Sequence, residues 1–111
     1  MALTRDFKKT VLERALKDPK FRRGLLISAI NEFLIGEFGS AKILMRDYIN
    51  ATMGFTKLAK KMGKNTKTLQ KMFGSRGNPT SSNFCAILKI LQQHEKIELQ
   101  IYAPKNHPRA A

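Results

Sequence analysis

Apolar residues recur at intervals of three and four along most of the chain, the period of helices that bury one face. Phe7, Val11, Leu12, Ala15 and Leu16 mark a first helix. Asp18-Pro19 follows, a capping side chain and a proline suited to a first helical turn, so a second helix starts there. Its stripe runs through Phe21, Leu25, Leu26, Ile30, Phe33 and Leu34, with Gly36 as a left-handed stop. A third helix carries Ala41, Leu44, Met45, Tyr48, Ile49 and Met53 on one side and closes at Gly54. The helices then shorten. Leu58, Ala59 and Met62 mark one that ends at Gly63, and Asn65 caps another that begins at Thr66, with Leu69, Met72 and Phe73 turned inward. The stretch GSRGNPTS reads as a loop, and Ser81 or Ser82 caps a last helix whose core face is Phe84, Ile87, Leu88 and Leu91. After His94, Ile97, Leu99 and Ile101 alternate with polar residues, the period of a strand.

The pattern predicts an all-α fold of five to six helices with a short C-terminal β-strand, in a single domain over residues 1–103. Residues 1–54 form a helical N-terminal extension and the first helix of the unit that follows, 55–95 the two short helices and the closing helix, and 96–103 the strand. Residues 104–111, PKNHPRAA, are expected to be a disordered tail. No partner strand is evident elsewhere in the chain, and a lone strand is unstable. Ile97, Leu99 and Ile101 therefore pair with a second copy, pair with the sheet edge of another protein, or pack irregularly on their own domain.

Charge sharpens this picture. The chain is 42% hydrophobic and 26% charged, ordinary values, but its formal net charge is +13. In residues 1–36 basic residues are mixed with Asp6, Glu13, Asp18 and Glu32, and residues 37–54 balance. From Phe55 to Thr80, Lys57, Lys60, Lys61, Lys64, Lys67, Lys71 and Arg76 face no acid at all. Uncompensated positive charge gathered in this way suits a phosphate backbone better than a merely solvated surface, which normally mixes in glutamates.

Two helices joined by a short turn containing glycine form a helix-turn-helix, whose second member can enter a major groove. With Leu69 and Met72 directed at the core, Thr66, Lys67, Gln70 and Lys71 share the outer face and are the candidate base readers. Lysine suits guanine, glutamine can grip adenine twice, and threonine offers a hydroxyl or a methyl group. Lys57, Lys60, Lys61, Lys64 and Arg76, around them, are the candidate phosphate contacts.

The string LAKKMGKNTKTLQKMFG, followed by GNPT and the helix NFCAILKILQ, resembles the phage-repressor-type (XRE, or Cro/CI-like) helix-turn-helix regulators. More narrowly, it resembles the HigA-like addiction-module antidote proteins, over about residues 40–95. Leu58-Ala59, Gly63, Leu69 and GNPT are the most specific marks. The resemblance implies a lambda-repressor-like helix-turn-helix with Thr66, Lys67, Gln70 and Lys71 in the groove, a homodimer on a palindromic operator in double-stranded DNA, and, as in some members, a role in binding a small toxin protein. The sequence departs from the family pattern at Lys64, usually apolar, and at Phe73-Gly74, where glutamate and asparagine are common.

Other chemistry is thinly represented. Gly63-Lys64-Asn65 lacks the earlier glycine and the hydroxyl of a phosphate-binding loop. Cys85, in the apolar last helix with no local histidine, reads as a small packed side chain, and with His94 and His107 alone there is no ligand set for a metal. No catalytic constellation, cofactor or enzymatic activity is expected. The apolar run GLLISAINEFLIG is interrupted by Asn31 and Glu32 and falls short of a membrane span, and the single cysteine fits a reducing setting, so a cytoplasmic location is expected. The reading is a sequence-specific DNA-binding transcriptional regulator, an autorepressor and antitoxin. Its alternative is a protein-interaction module that neutralises a toxin, with DNA binding secondary.

Overall fold

A computed structural model describes residues 5–104, without the side chains of residues 5–8 and of Val11. Six helices follow one another: α1 (Arg5–Lys17), α2 (Pro19–Leu34), α3 (Phe38–Ala51), α4 (Gly54–Met62), α5 (Thr66–Met72) and α6 (Ser81–Glu95). The side chains of Phe7 and Val11 on the expected α1 stripe, and residues 105–111 of the expected tail, lie outside what is described.

The boundaries follow local chemistry. Asp18 is the cap of α2, its carboxylate accepting from the amides of Lys20 and Phe21 at 3.1 and 3.2 Å, with Pro19 in the first turn. α3 stops at Ala51, a turn before the expected Gly54, because Thr52 folds back there. Its amide donates to the Ile49 carbonyl and its hydroxyl to the Tyr48 carbonyl. Gly54 instead opens α4. The cap of α6 is Thr80, not Ser81 or Ser82: extended after Pro79, Thr80 accepts from the Asn83 amide at 3.2 Å, the reach of a cap to the third helical residue.

α2 and α3 make the most extensive helix pair, with α1 against both, and α4 touches α3, α5 and α6. Between them lies one core of Leu26, Met45, Tyr48, Ile49, Leu58, Leu69, Phe73, Ile87 and Leu91, all at most 2% exposed. Helical phase explains this membership, since each residue falls on its helix's apolar stripe. Leu34, read as part of the α2 stripe, is 59% exposed at the helix end.

The strand expected over 96–103 is not formed, and the described residues contain no strand. Lys96 turns the chain in the left-handed region, φ 58°, and the amide of Ile97 donates to the Gln92 carbonyl. The Leu99 amide then donates to the Gln92 side chain at 2.7 Å. These two amides are thereby taken by α6. Ile97 and Leu99 rest half-buried on the core, whereas Ile101 and Tyr102 are about four-fifths exposed.

The end of α6 is tied to the N-terminal helices by polar contacts. Glu95, 4% exposed, accepts from Arg22 and Arg23 of α2 and from the Tyr48 hydroxyl of α3 at 2.7 Å. Arg22 also donates to the Ala15 carbonyl of α1 at 3.1 Å. Burial opposes ionisation of Glu95, but hydrogen bonds from Arg22 and Tyr48 and the arginine charges outweigh it and hold the carboxyl below its ordinary range. Burial, and then the bond to Glu95, push the Tyr48 hydroxyl far up.

Because folding lowers the Glu95 pKa, its contribution to stability is full above the ordinary value of 4.5 and is lost as pH falls below that value through the folded one. Replacing Glu95 with Gln should cost about 1.5–3 kcal/mol in urea unfolding near neutral pH, the range for hydrogen bonds to charged groups. On acidification the wild type should lose this margin while the variant, already without the charge, should show a flatter profile.

Candidate nucleic-acid interface

The basic segment is built on a short, fully specified turn. At the end of α4, Gly63 takes a left-handed conformation, φ 67° and ψ 33°, which a residue with a Cβ adopts only at a cost. Its amide donates to the Lys60 carbonyl, and that of Lys64 reaches back to Ala59 at 2.9 Å, so the last carbonyls of α4 are satisfied. Two residues on, Asn65 is extended and its side chain accepts from the amides of Lys67 and Thr68 at 2.8 and 3.4 Å. One helix is closed and the next opened within Gly63-Lys64-Asn65.

Three apolar side chains fix how this unit sits. Leu69, fully buried, points from α5 into the core, and Phe73 behind it packs its ring 5.8 Å from that of Phe55 in α4. With Leu69 inward, the 100° step of the helix turns 67 and 71 outward and 70 to the flank, whereas 66, three residues before Leu69, lies toward the buried face. Lys67, Gln70 and Lys71 are exposed and Thr66 is half-buried. Lys57, Lys60, Lys61, Lys64 and Arg76 are all exposed as well, and among the described residues none of these basic side chains is ion-paired. The expected base-reading and phosphate sets are therefore gathered on α4, its turn, α5 and the following loop. The third expected set, Ile97, Leu99 and Ile101, sits elsewhere, with Leu99 and Ile101 beside Ile27, Ile30 and Leu34 of α2 and Ile35 just after it, around a groove of about 610 Å³.

Sequence reasoning missed two contributors. Lys89 of α6 joins Lys61 and Lys64 at the rim of an open cleft of about 470 Å³ floored by Met62, Ala86 and Ile90. Between Asp47 and Glu95 the chain has no acidic residue, so Lys89 extends the uncompensated charge. Lys42 of α3 is buried, with its ammonium on the carbonyls of Gly74 and Gly77 at 2.9 and 2.8 Å. A signal existed, for Lys42 is three residues before Met45 and seven before Ile49, in phase with the core. Cys85, expected to be packed, is exposed on α6.

No helix among the described residues is long and apolar enough to cross a membrane, and no group of three or more His, Cys, Asp and Glu side chains gathers among them. No family model matches the chain, and no curated protein or solved structure does.

Asn65→Ala should remove the cap of α5 and cost about 1 kcal/mol in chemical denaturation. Asn65→Asp, which keeps an acceptor oxygen, should retain most of that stability.

Proposed function

We propose that this chain is a sequence-specific DNA-binding transcriptional regulator in which α4 and α5 act as a helix-turn-helix. It binds a palindromic operator as a homodimer and represses transcription from the cytoplasm. The observation that carries this reading is the joint exposure of Lys67, Gln70 and Lys71, with Thr66 half-buried beside them, on a helix held from behind by Leu69 and flanked by lysines and Arg76 that make no ion pair among the described residues. Cations without carboxylate neighbours release counterions from a phosphate backbone at little desolvation cost, which gives affinity without sequence preference. Gln70 and Lys71 supply the selective part, because amide and ammonium groups meet donor and acceptor patterns on base edges. Phe55 and Phe73, buried in the core, are not available to stack on single-stranded bases, so a duplex is the preferred form.

A second layer, antitoxin activity toward a small toxin protein, is favoured by a different observation. Ile27, Leu34, Ile35, Ile101 and Tyr102 leave apolar surface exposed along α2 and the segment after α6, away from the basic residues in sequence. Apolar surface of this kind marks protein contacts more often than nucleic-acid ones. If neutralising a partner were the principal task, a stable complex with that partner would form with the basic face fully mutated to alanine.

Selection of bound sequences from random duplex DNA, followed by footprinting, tests the main reading. Protected half-sites should be centred about 34 Å apart, one helical turn. Gln70→Ala should relax preference at one base position by about 1–3 kcal/mol, whereas Lys60→Ala should weaken all sequences alike and lower the salt slope by about one. Unselective protection, or equal losses on every sequence for both variants, would remove the assignment of Gln70 as a base reader.

A further inference from the structure

We propose that Lys42 is a positioning residue for the basic face: from inside the protein its ammonium fixes the loop that presents Arg76, and so governs phosphate contact without touching phosphate. The inference rests on the nucleic-acid reading of that face.

A buried ammonium is costly unless its donors are satisfied. Lys42 is only 8% exposed, and no carboxylate pairs with it among the described residues. Its donors go instead to the carbonyls of Gly74 and Gly77, which bracket Ser75 and Arg76. If the position served packing alone, an apolar side chain in phase with Met45 and Ile49 would fill it without bringing a charge into a strongly cationic protein. What the ammonium adds is a grip on two backbone oxygens just past α5, where the carbonyl end of a helix also favours a cation.

The loop is held from its other side too. The Gly74 amide donates to the Lys71 carbonyl and the Gly77 amide to that of Gly74. A Cβ on Gly77 would lie 1.8 Å from the Lys71 carbonyl oxygen, so this loop is pressed against the last turn of α5 with no room for a side chain. Between the two fixed glycines, Arg76 is exposed. Its backbone is therefore set before any ligand arrives, and a contact made by a preorganised group loses less conformational freedom on binding.

The test compares wild type, Lys42→Met, Arg76→Ala and the double variant on one duplex, with affinity measured across salt concentration and amide exchange measured in the free proteins. In Lys42→Met, the amides of Gly74 and Gly77 should exchange at least about tenfold faster than in wild type while those of Leu26 and Leu91 keep their protection, the pattern of a local opening. The salt slope should fall by about one, as in Arg76→Ala, and the double variant should fall no further. Unchanged exchange in the loop, or additive losses in the double variant, would overturn the proposal. Should Lys42→Met fail to fold, Gly77→Ala displaces the same loop while leaving the ammonium in place, and must give the same loop exchange and salt slope. A wild type that binds no duplex would defeat the nucleic-acid reading, and the loop exchange would still decide whether Lys42 holds Arg76 in place.

Discussion

The carboxylate of Glu95 is the point on which the helices converge. Placed at the last turn of α6, it receives α2 through Arg22 and Arg23 and α3 through Tyr48, while Arg22 reaches on to the end of α1. A lone buried carboxylate would be disfavoured, and it is the supply of donors from α2 and α3 that makes this one tolerable. The cluster is thus conditional on the fold, since Glu95 is buried only where these donors reach it. α6 in turn lends Ile87 and Leu91 to the core shared with α4 and α5, so the register set at Glu95 reaches the basic segment through packed side chains.

That segment needs such support. α5 has seven residues, too few to hold as a helix alone, and its neighbourhood of like charges adds repulsion. Stability must come from behind, and it does, through Leu69 and Phe73 against Phe55 and Leu58. The interior is apolar where it supports α5 directly and polar where it must fix a register, at Glu95 and at Lys42. This division keeps the outer side chains of α5 free of structural duties.

Much of this was legible in the chain because the signals are local. Asp18-Pro19, Gly63 and Asn65 each act within three or four residues, and each sits at the boundary their chemistry indicates. The exposure of Lys67, Gln70 and Lys71 follows from Leu69, since one buried residue orients a short helix, but the same phase turns Thr66, three residues earlier, toward the buried side. Properties that depend on distant chain were hidden. Lys42 and Glu95 have the helical phase of core residues, but only the folded partners, two glycine carbonyls and two arginines, explain charges there. The alternation of Ile97, Leu99 and Ile101 predicted a strand, yet in the folded chain Gln92, five and seven residues earlier, holds the amides of Ile97 and Leu99 against the end of α6. Cys85 was assigned to the core by its apolar neighbours, whereas its phase on α6 puts it outside.

The acid-free run between Asp47 and Glu95 has one more consequence. From Lys57 to Arg76 the surface carries no histidine and no carboxylate, the groups whose charge ordinarily changes between mildly acidic and neutral solution. Its attraction for an anion is therefore insulated from proton concentration and left to the ionic atmosphere, which screens over about 8 Å at physiological strength. A cell that tunes this surface does so with counterions or competing polyanions, while acidity acts on the molecule from within, at the carboxylate that joins its helices.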